Sequence, residues 1–373
     1  MWFEVILFIL ALAVLLWAVA AFHLKGENLS AFDADVAEKF SSGSEPSGEA
    51  RAAVASMSGI QRVLQGVPRR RYNEVLRKYM EEMFADRSFN ARFMPVDCAG
   101  VPGEWVLAPG ADSTRRTLYI HGGAWVMGSP RSHRTITTRF SEVTGGAVLA
   151  IDYRLMPENP RRAGIEDCRT AYRWMLDNGP TGAEAAQTVF VAGDSAGGNL
   201  TLSLIAWVRD HGLRAPDAAV AFSPATDVTL ASPSLKANVR SDAMLGPLFG
   251  PLLKVPRMLM LWVGWLRNRI NPSDPLMSPV YGNLSGLPPV LVQASQVEML
   301  HDDAQRYVNR ARAAGSPVRL QTWNHMLHVW QIFNPELTEA RQAFDQVGKF
   351  LAETAPPKTP AAPASAAVNS VAA

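Results

Sequence analysis

Short apolar runs alternate with amphipathic helical patterns through most of the chain. The apolar runs have the length of strands and occupy residues 117–120, 147–151, 189–192, 218–222, 290–294 and 318–322. Apolar positions at helical spacing predict helices over residues 132–143, 165–178, 200–211, 302–314 and 337–352. Strands that alternate with helices usually pair in parallel, and their continuous apolar character indicates burial on both faces. The pattern therefore predicts an α/β fold with a mainly parallel central sheet that helices cover on both faces.

Three stretches depart from this alternation. Residues 93–96 and 104–108 are short apolar stretches around glycines, and they predict a hairpin at one edge of the sheet. Residues 51–84 have helical periodicity that is broken near residues 66–68, so two helices are expected there. The interval 227–273 contains many Met, Trp and Leu residues, and we expect an insertion over the carboxyl edge of the sheet.

The N-terminal segment is apolar without interruption from residue 5 to residue 22. This length is close to the roughly 20 residues that cross a bilayer as a helix, so residues 1–24 are predicted to form a transmembrane anchor. A cleaved signal peptide is the alternative, because residues 18–20 resemble a cleavage site, although no Lys or Arg precedes the run. The first basic residue after the run is Lys25, which by itself leaves the side of the membrane open.

Two polar or low-complexity stretches flank the body of the chain. Residues 25–50 are rich in Ser, Gly, Asp and Glu and predict a linker, within which Phe32, Val36 and Phe40 suggest a short amphipathic helix. Residues 355–373 are rich in Ala and Pro and predict a disordered tail.

The composition narrows the classes of partner and cofactor. The 36 Lys and Arg residues nearly balance the 34 Asp and Glu residues, so nucleic acid is not an expected partner. The two cysteines, Cys98 and Cys168, lie far apart and lack the spacing of a metal site. Neither a dinucleotide-binding nor a phosphate-binding glycine motif occurs, and no metal or organic cofactor is expected.

A glycine-flanked serine lies between a predicted strand and a predicted helix. The segment 193–198 reads GDSAGG and has the pattern G-x-S-x-G. In this pattern a sharp turn exposes the serine hydroxyl, while backbone N–H groups at the start of the helix face the same point. Ser195 is therefore the candidate nucleophile, and the N–H of Ala196 is a candidate donor to a developing oxyanion.

The segment 121–125, which reads HGGAW, follows the strand over residues 117–120. Two consecutive glycines leave their N–H groups unshielded, so Gly122 and Gly123 are predicted to complete the oxyanion hole with Ala196.

A serine nucleophile needs a base, and the base needs an acceptor that fixes its tautomer. In sheets of this kind the order along the chain is serine, carboxylate and histidine, each on a loop after a strand. Glu298 is the favoured carboxylate because it lies nearest the end of a strand, whereas Asp302 and Asp303 fit the first turn of the next helix. His325 and His328 both follow the last strand, and spacing alone does not separate them.

These motifs together resemble the hormone-sensitive-lipase-like esterases of the α/β-hydrolase superfamily. The resemblance rests on the two motifs above together with DYRLMPE, GLPP, EMLHDD and MLH at residues 152–158, 286–289, 298–303 and 326–328. It implies an α/β-hydrolase fold with an α-helical cap, Ser195 as nucleophile and His328 as base. It also implies Glu298 as the carboxylate, where many relatives have Asp, and an oxyanion hole from Gly122, Gly123 and Ala196.

The resemblance also implies how the chain is divided into parts. The sequence departs from the family pattern at two positions. The cap corresponds to helices within residues 51–90 and to the insertion at about 227–273, and the catalytic domain spans residues 91–354. Ala124 stands where many members have a third glycine, and His325 stands where relatives often have glycine.

The expected activity is hydrolysis of small to medium hydrophobic carboxylic esters through an acyl-enzyme on Ser195. A deacetylase or amidase, a lactonase and a membrane-surface lipase would use the same triad and are the alternatives. A ligand-binding receptor that has lost catalysis is disfavoured, because the triad residues are complete. The expected partners are the ester substrate and, through the N-terminal helix, a membrane, whereas the oligomeric state is left open.

Overall fold

A nine-stranded sheet forms the centre of the computed structural model, which describes residues 1–41, 43–57 and 59–356. Its strands lie in the order β1-β9-β8-β7-β6-β4-β5-β3-β2, and each neighbouring pair is parallel except β2–β3 and β3–β5. The strands are β1 Glu38–Phe40, β2 Arg92–Asp97, β3 Pro102–Leu107, β4 Asp112–Ile120, β5 Gly146–Ile151, β6 Thr188–Asp194, β7 Ala218–Phe222, β8 Val290–Ser295 and β9 Val318–Trp323. The predicted mainly parallel sheet and its edge hairpin are confirmed.

Helices cover both faces of this sheet. Helices α6, α7 and α11 bury their apolar sides in one core layer, and α5 and α12 bury theirs in the other. These helices are α5 Arg134–Thr144, α6 Arg161–Asp177, α7 Ala196–Asp210, α11 His301–Ala313 and α12 Thr338–Thr354. Strands β5, β7 and β8 are buried along their whole length, which is why they read as continuous apolar runs.

Short helices from two parts of the chain form a cap. The helices before the sheet are α2 Gly48–Met57, α3 Gly59–Leu64 and α4 Tyr72–Glu82, and those of the insertion are α8 Ser234–Ala237, α9 Leu245–Phe249 and α10 Arg257–Asn268. The predicted break near residues 66–68 lies where the glycine and proline indicated, with α2 and α3 before it and α4 after it. Arg77 of α4 ties this part of the cap to the loop after β4, because its Nε donates to Val126 O at 2.6 Å.

The N-terminal helix is long and apolar enough to cross a membrane. Helix α1, Trp2–Val19, continues through a π-helical turn, Ala20–Leu24, and the 23 residues have a mean hydropathy of 3.0 over their most apolar window. No residue of α1 is buried within the protein. A helix with these properties serves either as a membrane anchor or as a signal sequence.

The stretch after this helix packs against the domain. Phe32 ends a single 3₁₀ turn, so the short amphipathic helix expected from Phe32, Val36 and Phe40 was wrong. Glu38–Phe40 instead forms β1, which pairs with β9, and the Phe40 ring stacks on Trp323 with centroids 4.4 Å apart. Pairing with an open sheet edge outweighs a weak local helical pattern. Residues 25–40 are thus a packed connection rather than a free linker, and the predicted tail lies outside the described residues from 357 onward.

The ion pair between Asp33 and Arg306 holds this connection on α11, and its loss should destabilise the protein. Arg306 Nε lies 2.5 Å from Asp33 Oδ1, and its side chain is only 5% exposed. Replacing Asp33 by Ala leaves this guanidinium without its nearest carboxylate and is expected to cost about 1–3 kcal/mol of unfolding free energy. Thermal unfolding of the full chain in detergent micelles measures the change. Asp35→Ala is the control, because the exposed pair of Asp35 with Lys39 should contribute less than about 1 kcal/mol. An equal loss in both variants would contradict the packed connection.

Candidate active site

Ser195 lies at the turn between β6 and α7, in a strained backbone conformation. Its φ is 53° and its ψ is −115°, values that few residues other than glycine adopt. A Cβ on Gly197 would overlap the carbonyl oxygens of Ile120 and His121, so α7 approaches the end of β4 only because residue 197 is glycine. The sequence pattern strand, turn and helix therefore gives the sharp turn that it predicted at Ser195.

The structure brings Ser195, His328 and Glu298 into one hydrogen-bonded chain. His328 Nε2 lies 2.9 Å from Ser195 Oγ, and His328 Nδ1 lies 2.7 Å from Glu298 Oε2. The other carboxylate oxygen of Glu298 accepts the backbone N–H of Ser295 at 3.0 Å, which fixes the carboxylate at the end of β8. With Nδ1–H donated to Glu298, Nε2 is the ring atom that can accept a hydrogen bond from the Ser195 hydroxyl.

The other candidates along the sequence lie outside this chain of contacts. His325 Nε2 is buried without a hydrogen-bond partner among the described residues. His325 has a φ of 61°, the left-handed conformation that glycine favours. Asp302 accepts the backbone N–H of Ser234, and the buried Asp303 accepts that of Asp227. Both aspartates hold the cap insertion on α11.

The electrostatic surroundings of His328 favour its protonated form. Burial by itself would lower the pKa of His328, but the hydrogen bond and the charge of Glu298 outweigh it, with smaller contributions from Asp242 and Asp194. The pKa of His328 is therefore raised above its ordinary 6.5. An imidazolium formed by proton transfer from Ser195 is stabilised by the same negative charges.

Asp242 links the cap insertion to this site and was not predicted. Its side chain is buried, and Oδ2 accepts the backbone N–H of Met299 at 2.8 Å, directly after Glu298. Its other oxygen accepts the N–H groups of Met244 and Leu245, at 3.0 and 2.8 Å, and thereby caps α9. One signal was available in the sequence, because Asp242 is the single acidic residue between positions 228 and 273.

The structure contradicts the oxyanion role predicted for Gly122. The N–H of Gly122 donates to Asp194 Oδ1 at 3.0 Å, and Gly122 does not line the cavity above Ser195. Gly123, Ala124 and Ala196 do line it. Because the N–H of Gly122 donates to Asp194, it does not point to the space above Ser195. The glycine pair in the sequence gave no sign of this contact.

Asp194 is the second functional residue that sequence reasoning missed. Besides Gly122 N it accepts the hydroxyl of Tyr119 at 2.5 Å, and His133 Nε2 lies 3.5 Å from its Oδ2. Burial alone would raise the pKa of Asp194, but the charge and hydrogen bond of His133 and the hydroxyl of Tyr119 lower it below its ordinary value. Its position as the second residue of the GDSAGG motif, at the end of a buried strand, was the available signal.

An apolar cavity of about 260 Å³ opens onto Ser195 beneath the cap. Its walls come from α2 and α4, from the insertion and from the loops after β4, β8 and β9. Half of the 14 methionines of the chain line it, and these are Met57, Met80, Met83, Met127, Met244, Met260 and Met299. The polar side chains that line it are Ser132, His133, Asp194, Ser195, Asp227 and His328. The cavity therefore suits an uncharged, apolar group placed next to the serine hydroxyl.

Comparison with known proteins adds independent information. Residues 117–332 match the family model of the α/β hydrolase fold. The chain is 38% identical over 249 residues to an acetyl-hydrolase of Streptomyces hygroscopicus, which covers 66% of this chain and 78% of that protein. It is 32% identical over 264 residues to the carboxylesterase/phospholipase LipF of Mycobacterium tuberculosis, which covers 69% of this chain and 68% of that protein. The crystal structure of an esterase from the bacterial hormone-sensitive lipase family matches with a TM-score of 0.72 at 34% identity, over 83% of this chain and 99% of that one.

The titration of His328 should depend on the charge of Glu298. In the native protein the imidazole is expected to titrate above pH 6.5. Glu298→Gln removes the negative charge and the strongest acceptor, so the midpoint should move to lower pH. Nuclear magnetic resonance of ¹⁵N-labelled histidine in the full chain measures it.

Asp242→Asn serves as the comparison for this titration. Asp242 raises the pKa of His328 by its charge, whereas Glu298 also accepts a hydrogen bond from the ring, so Asp242→Asn should lower the midpoint less than Glu298→Gln does. A midpoint that stays in place in Glu298→Gln would show that the carboxylate does not stabilise the imidazolium.

Proposed function

This chain belongs to the hormone-sensitive-lipase-like esterases of the α/β-hydrolase family, and on that premise we propose that Ser195 is the nucleophile of its ester hydrolysis. The fold, the family and the hydrolase activity on carboxylic esters agree with the expectations drawn from the sequence. The relatives bear the names acetyl-hydrolase and carboxylesterase/phospholipase, which support an ester bond as the target. The observation that carries the proposal is the 2.9 Å contact between Ser195 Oγ and His328 Nε2.

The first half of the reaction forms an acyl-enzyme. Ser195 Oγ attacks the ester carbonyl while His328 Nε2 takes its proton, and Glu298 stabilises the imidazolium that results. The negative charge that develops on the carbonyl oxygen is accepted by the N–H groups of Gly123 and Ala196. We assign the third donor to Ala124, because it lines the cavity and the N–H of Gly122 is already bound to Asp194.

The second half releases both products. His328 returns the proton to the alkoxide of the leaving alcohol as the tetrahedral intermediate collapses. Water then attacks the acyl group on Ser195 with His328 again as base, and the acid leaves. These steps use only side chains and backbone groups of this chain.

The cavity supports small to medium hydrophobic esters as substrates. Its walls carry aliphatic and thioether groups. An apolar substrate that contacts these groups buries apolar surface, and this burial stabilises binding by about 25 cal/mol per Å². Methionine side chains are unbranched and adjust to the shape of what they contact. We therefore propose that acyl groups of differing length fit the same cavity.

We further propose that the N-terminal helix remains attached as a membrane anchor. A cleavage after residue 20 would remove Ala20, which is buried in the contact between this helix and α10. It would also remove Leu16, whose carbonyl accepts the indole N–H of Trp262 at 3.0 Å. A permanent anchor would keep these contacts with α10, whereas cleavage as a signal peptide would remove them.

Ser195→Ala is expected to abolish ester hydrolysis and leave the fold unchanged. The loss in kcat for p-nitrophenyl butyrate should be at least about 10³-fold, because no hydroxyl remains to form the acyl-enzyme. A fluorophosphonate probe should label the native protein on Ser195 and leave the variant unlabelled. Circular dichroism controls for folding. Substantial turnover or labelling in a folded Ser195→Ala variant would refute the assignment of the nucleophile.

His328→Ala and His325→Ala separate the two late histidines. Only His328 contacts Ser195, so His328→Ala should reduce kcat by roughly 10³-fold or more, whereas His325→Ala should retain most of the activity. The two rates on p-nitrophenyl butyrate, each measured beside the melting temperature, provide the check. The reverse pattern would assign the base to His325.

A further inference from the structure

Helix α10 of the cap presents an apolar face to solvent. Leu259, Val263 and Leu266 are 53%, 47% and 51% exposed, and their spacing of four and three residues puts them on one side of the helix. Single exposed apolar side chains are common on protein surfaces. Three apolar side chains on one helix face form a patch that suits an apolar partner.

The opposite side of α10 packs on the end of the membrane helix. Leu261 is buried against Ala20 and Leu24, with Trp262 and Trp265 at the margin of the cluster. The indole N–H of Trp262 donates to the carbonyl oxygen of Leu16 at 3.0 Å, so the contact extends back along α1 beyond its last turn.

This contact fixes the depth of α10 relative to a bilayer that α1 crosses. The 23 residues from Trp2 to Leu24 form a helix about 34 Å long, against about 30 Å for the hydrocarbon core. Leu16 precedes Leu24 by eight residues, or about 12 Å along the axis. For a helix centred on the hydrocarbon core and perpendicular to the bilayer, the indole of Trp262 would lie roughly 10 Å inside the end of the core on the side of the catalytic domain. Amphipathic helices at membrane surfaces bury their apolar faces to about 5–10 Å.

We propose that the apolar face of α10 lies in the surface layer of the same bilayer that α1 spans, and that Ser195 receives water-insoluble esters directly from that layer. This inference rests on the proposed ester hydrolysis and on the proposed anchor. The proposed partner of the apolar face of α10 is a lipid surface, because this face is continuous with a helix of membrane-spanning length and composition.

The charges of the insertion fit such a surface. Between residues 228 and 273 there are six basic side chains and one acidic side chain, Asp242, which is buried. The exposed side chains Lys254, Arg267 and Arg269 flank the two ends of α10. Anionic headgroups attract basic residues by about 1 kcal/mol each when these lie near the surface, so the flanks of the helix favour a negatively charged leaflet.

The wall of the cavity and the apolar face are parts of the same segment. Met260 of α10 lines the cavity above Ser195. Leu252, in the turn before α10, also lines it and is 44% exposed, so the cavity reaches the surface beside the helix. An ester dissolved in the bilayer thus meets an apolar path to Ser195 without passing through water.

The orientation of α10 is held by contacts with the chain that follows the membrane helix. Arg257 Nη2 donates to Lys25 O at 3.0 Å, and Asn271 Nδ2 donates to His23 O at 2.8 Å. Together with the Asp33–Arg306 pair, these contacts present one face of the cap toward the bilayer.

Spin labels on the full chain in lipid nanodiscs test the depth of α10. Both native cysteines are buried, so a label on Val263→Cys reports that site. In discs of phosphatidylcholine and phosphatidylglycerol, this label should collide readily with oxygen and poorly with a water-soluble nickel chelate. A label on Asp345→Cys, on an exposed part of α12, is the control and should show the reverse.

Two results of the labelling experiment would overturn the proposal. One is a label at position 263 that collides with nickel as freely as the control does. The other is a label shielded from both reagents, together with oxidative disulfide cross-linking of two copies in the unlabelled Val263→Cys variant, which would mean that a second copy of the chain covers the face.

A matched activity measurement tests the route of the substrate. The triple variant Leu259→Gln, Val263→Gln and Leu266→Gln changes the outer face of α10 and no residue that lines the cavity. It should hydrolyse the water-soluble p-nitrophenyl acetate at the native rate. Its rate on p-nitrophenyl decanoate dissolved in the nanodisc should fall roughly tenfold, because the cap no longer sits in the surface layer. The control variant Val54→Gln and Val63→Gln replaces exposed apolar residues of α2 and α3 and should keep both rates.

The outcomes distinguish failure of the lateral route from failure of the proposed ester hydrolysis. Equal rates of native and triple-variant proteins on the decanoate ester would overturn the lateral route. If the native protein hydrolyses neither ester, the proposed hydrolysis fails, and the oxygen and nickel data at position 263 still decide whether α10 lies in the membrane surface.

Discussion

The close approach of α7 to the end of β4 is the constraint on which the site depends. It exists because Gly197 has no side chain where the carbonyl oxygens of Ile120 and His121 lie. This contact brings the turn that holds Ser195 against the loop that holds Gly123 and Ala124. The nucleophile and the N–H groups opposite it are therefore set by the packing of one helix on one strand, before any substrate is bound.

Two carboxylate–imidazole pairs flank Ser195 and have different consequences. Glu298 pairs with His328 and raises the pKa of the imidazole that faces the serine. Asp194 pairs with His133 behind the serine and keeps its own pKa low, so it remains an acceptor for Tyr119 and Gly122. The first pair contacts the Ser195 hydroxyl, and the second holds the loop that contains Gly122. Both are buried, so their interactions are only weakly screened by solvent.

Local patterns gave the elements of the fold and the nucleophile, because each depends on neighbours in the sequence. The buried strands read as apolar runs, and the glycines around Ser195 read as a turn that only they permit. The remaining features depend on partners distant in the chain. The N–H of Gly122 is taken by Asp194, 72 residues later, and Asp242 reaches Met299 across 57 residues. Strand β1 forms because β9 leaves an edge of the sheet open. The residues of β1 themselves did not predict a strand.

The choice between His325 and His328 shows the same limit. Both follow one strand, and only the path of the loop decides which ring points to Ser195. The resemblance to known esterases selected His328, and the left-handed backbone at His325 supplies a physical reason for the difference. Physical reasoning from the residues narrowed the base to two positions, and tertiary geometry separates them.

The pairing of β1 with β9 has a consequence for how the protein is made. Glu38, near the start of the chain, reaches Gln321 across 283 residues, so this edge of the sheet closes only after nearly all of the polypeptide has left the ribosome. The apolar N-terminal helix is synthesised first and can enter the lipid while the domain is still incomplete. The last edge of the domain thus closes well after the N-terminal helix has been synthesised.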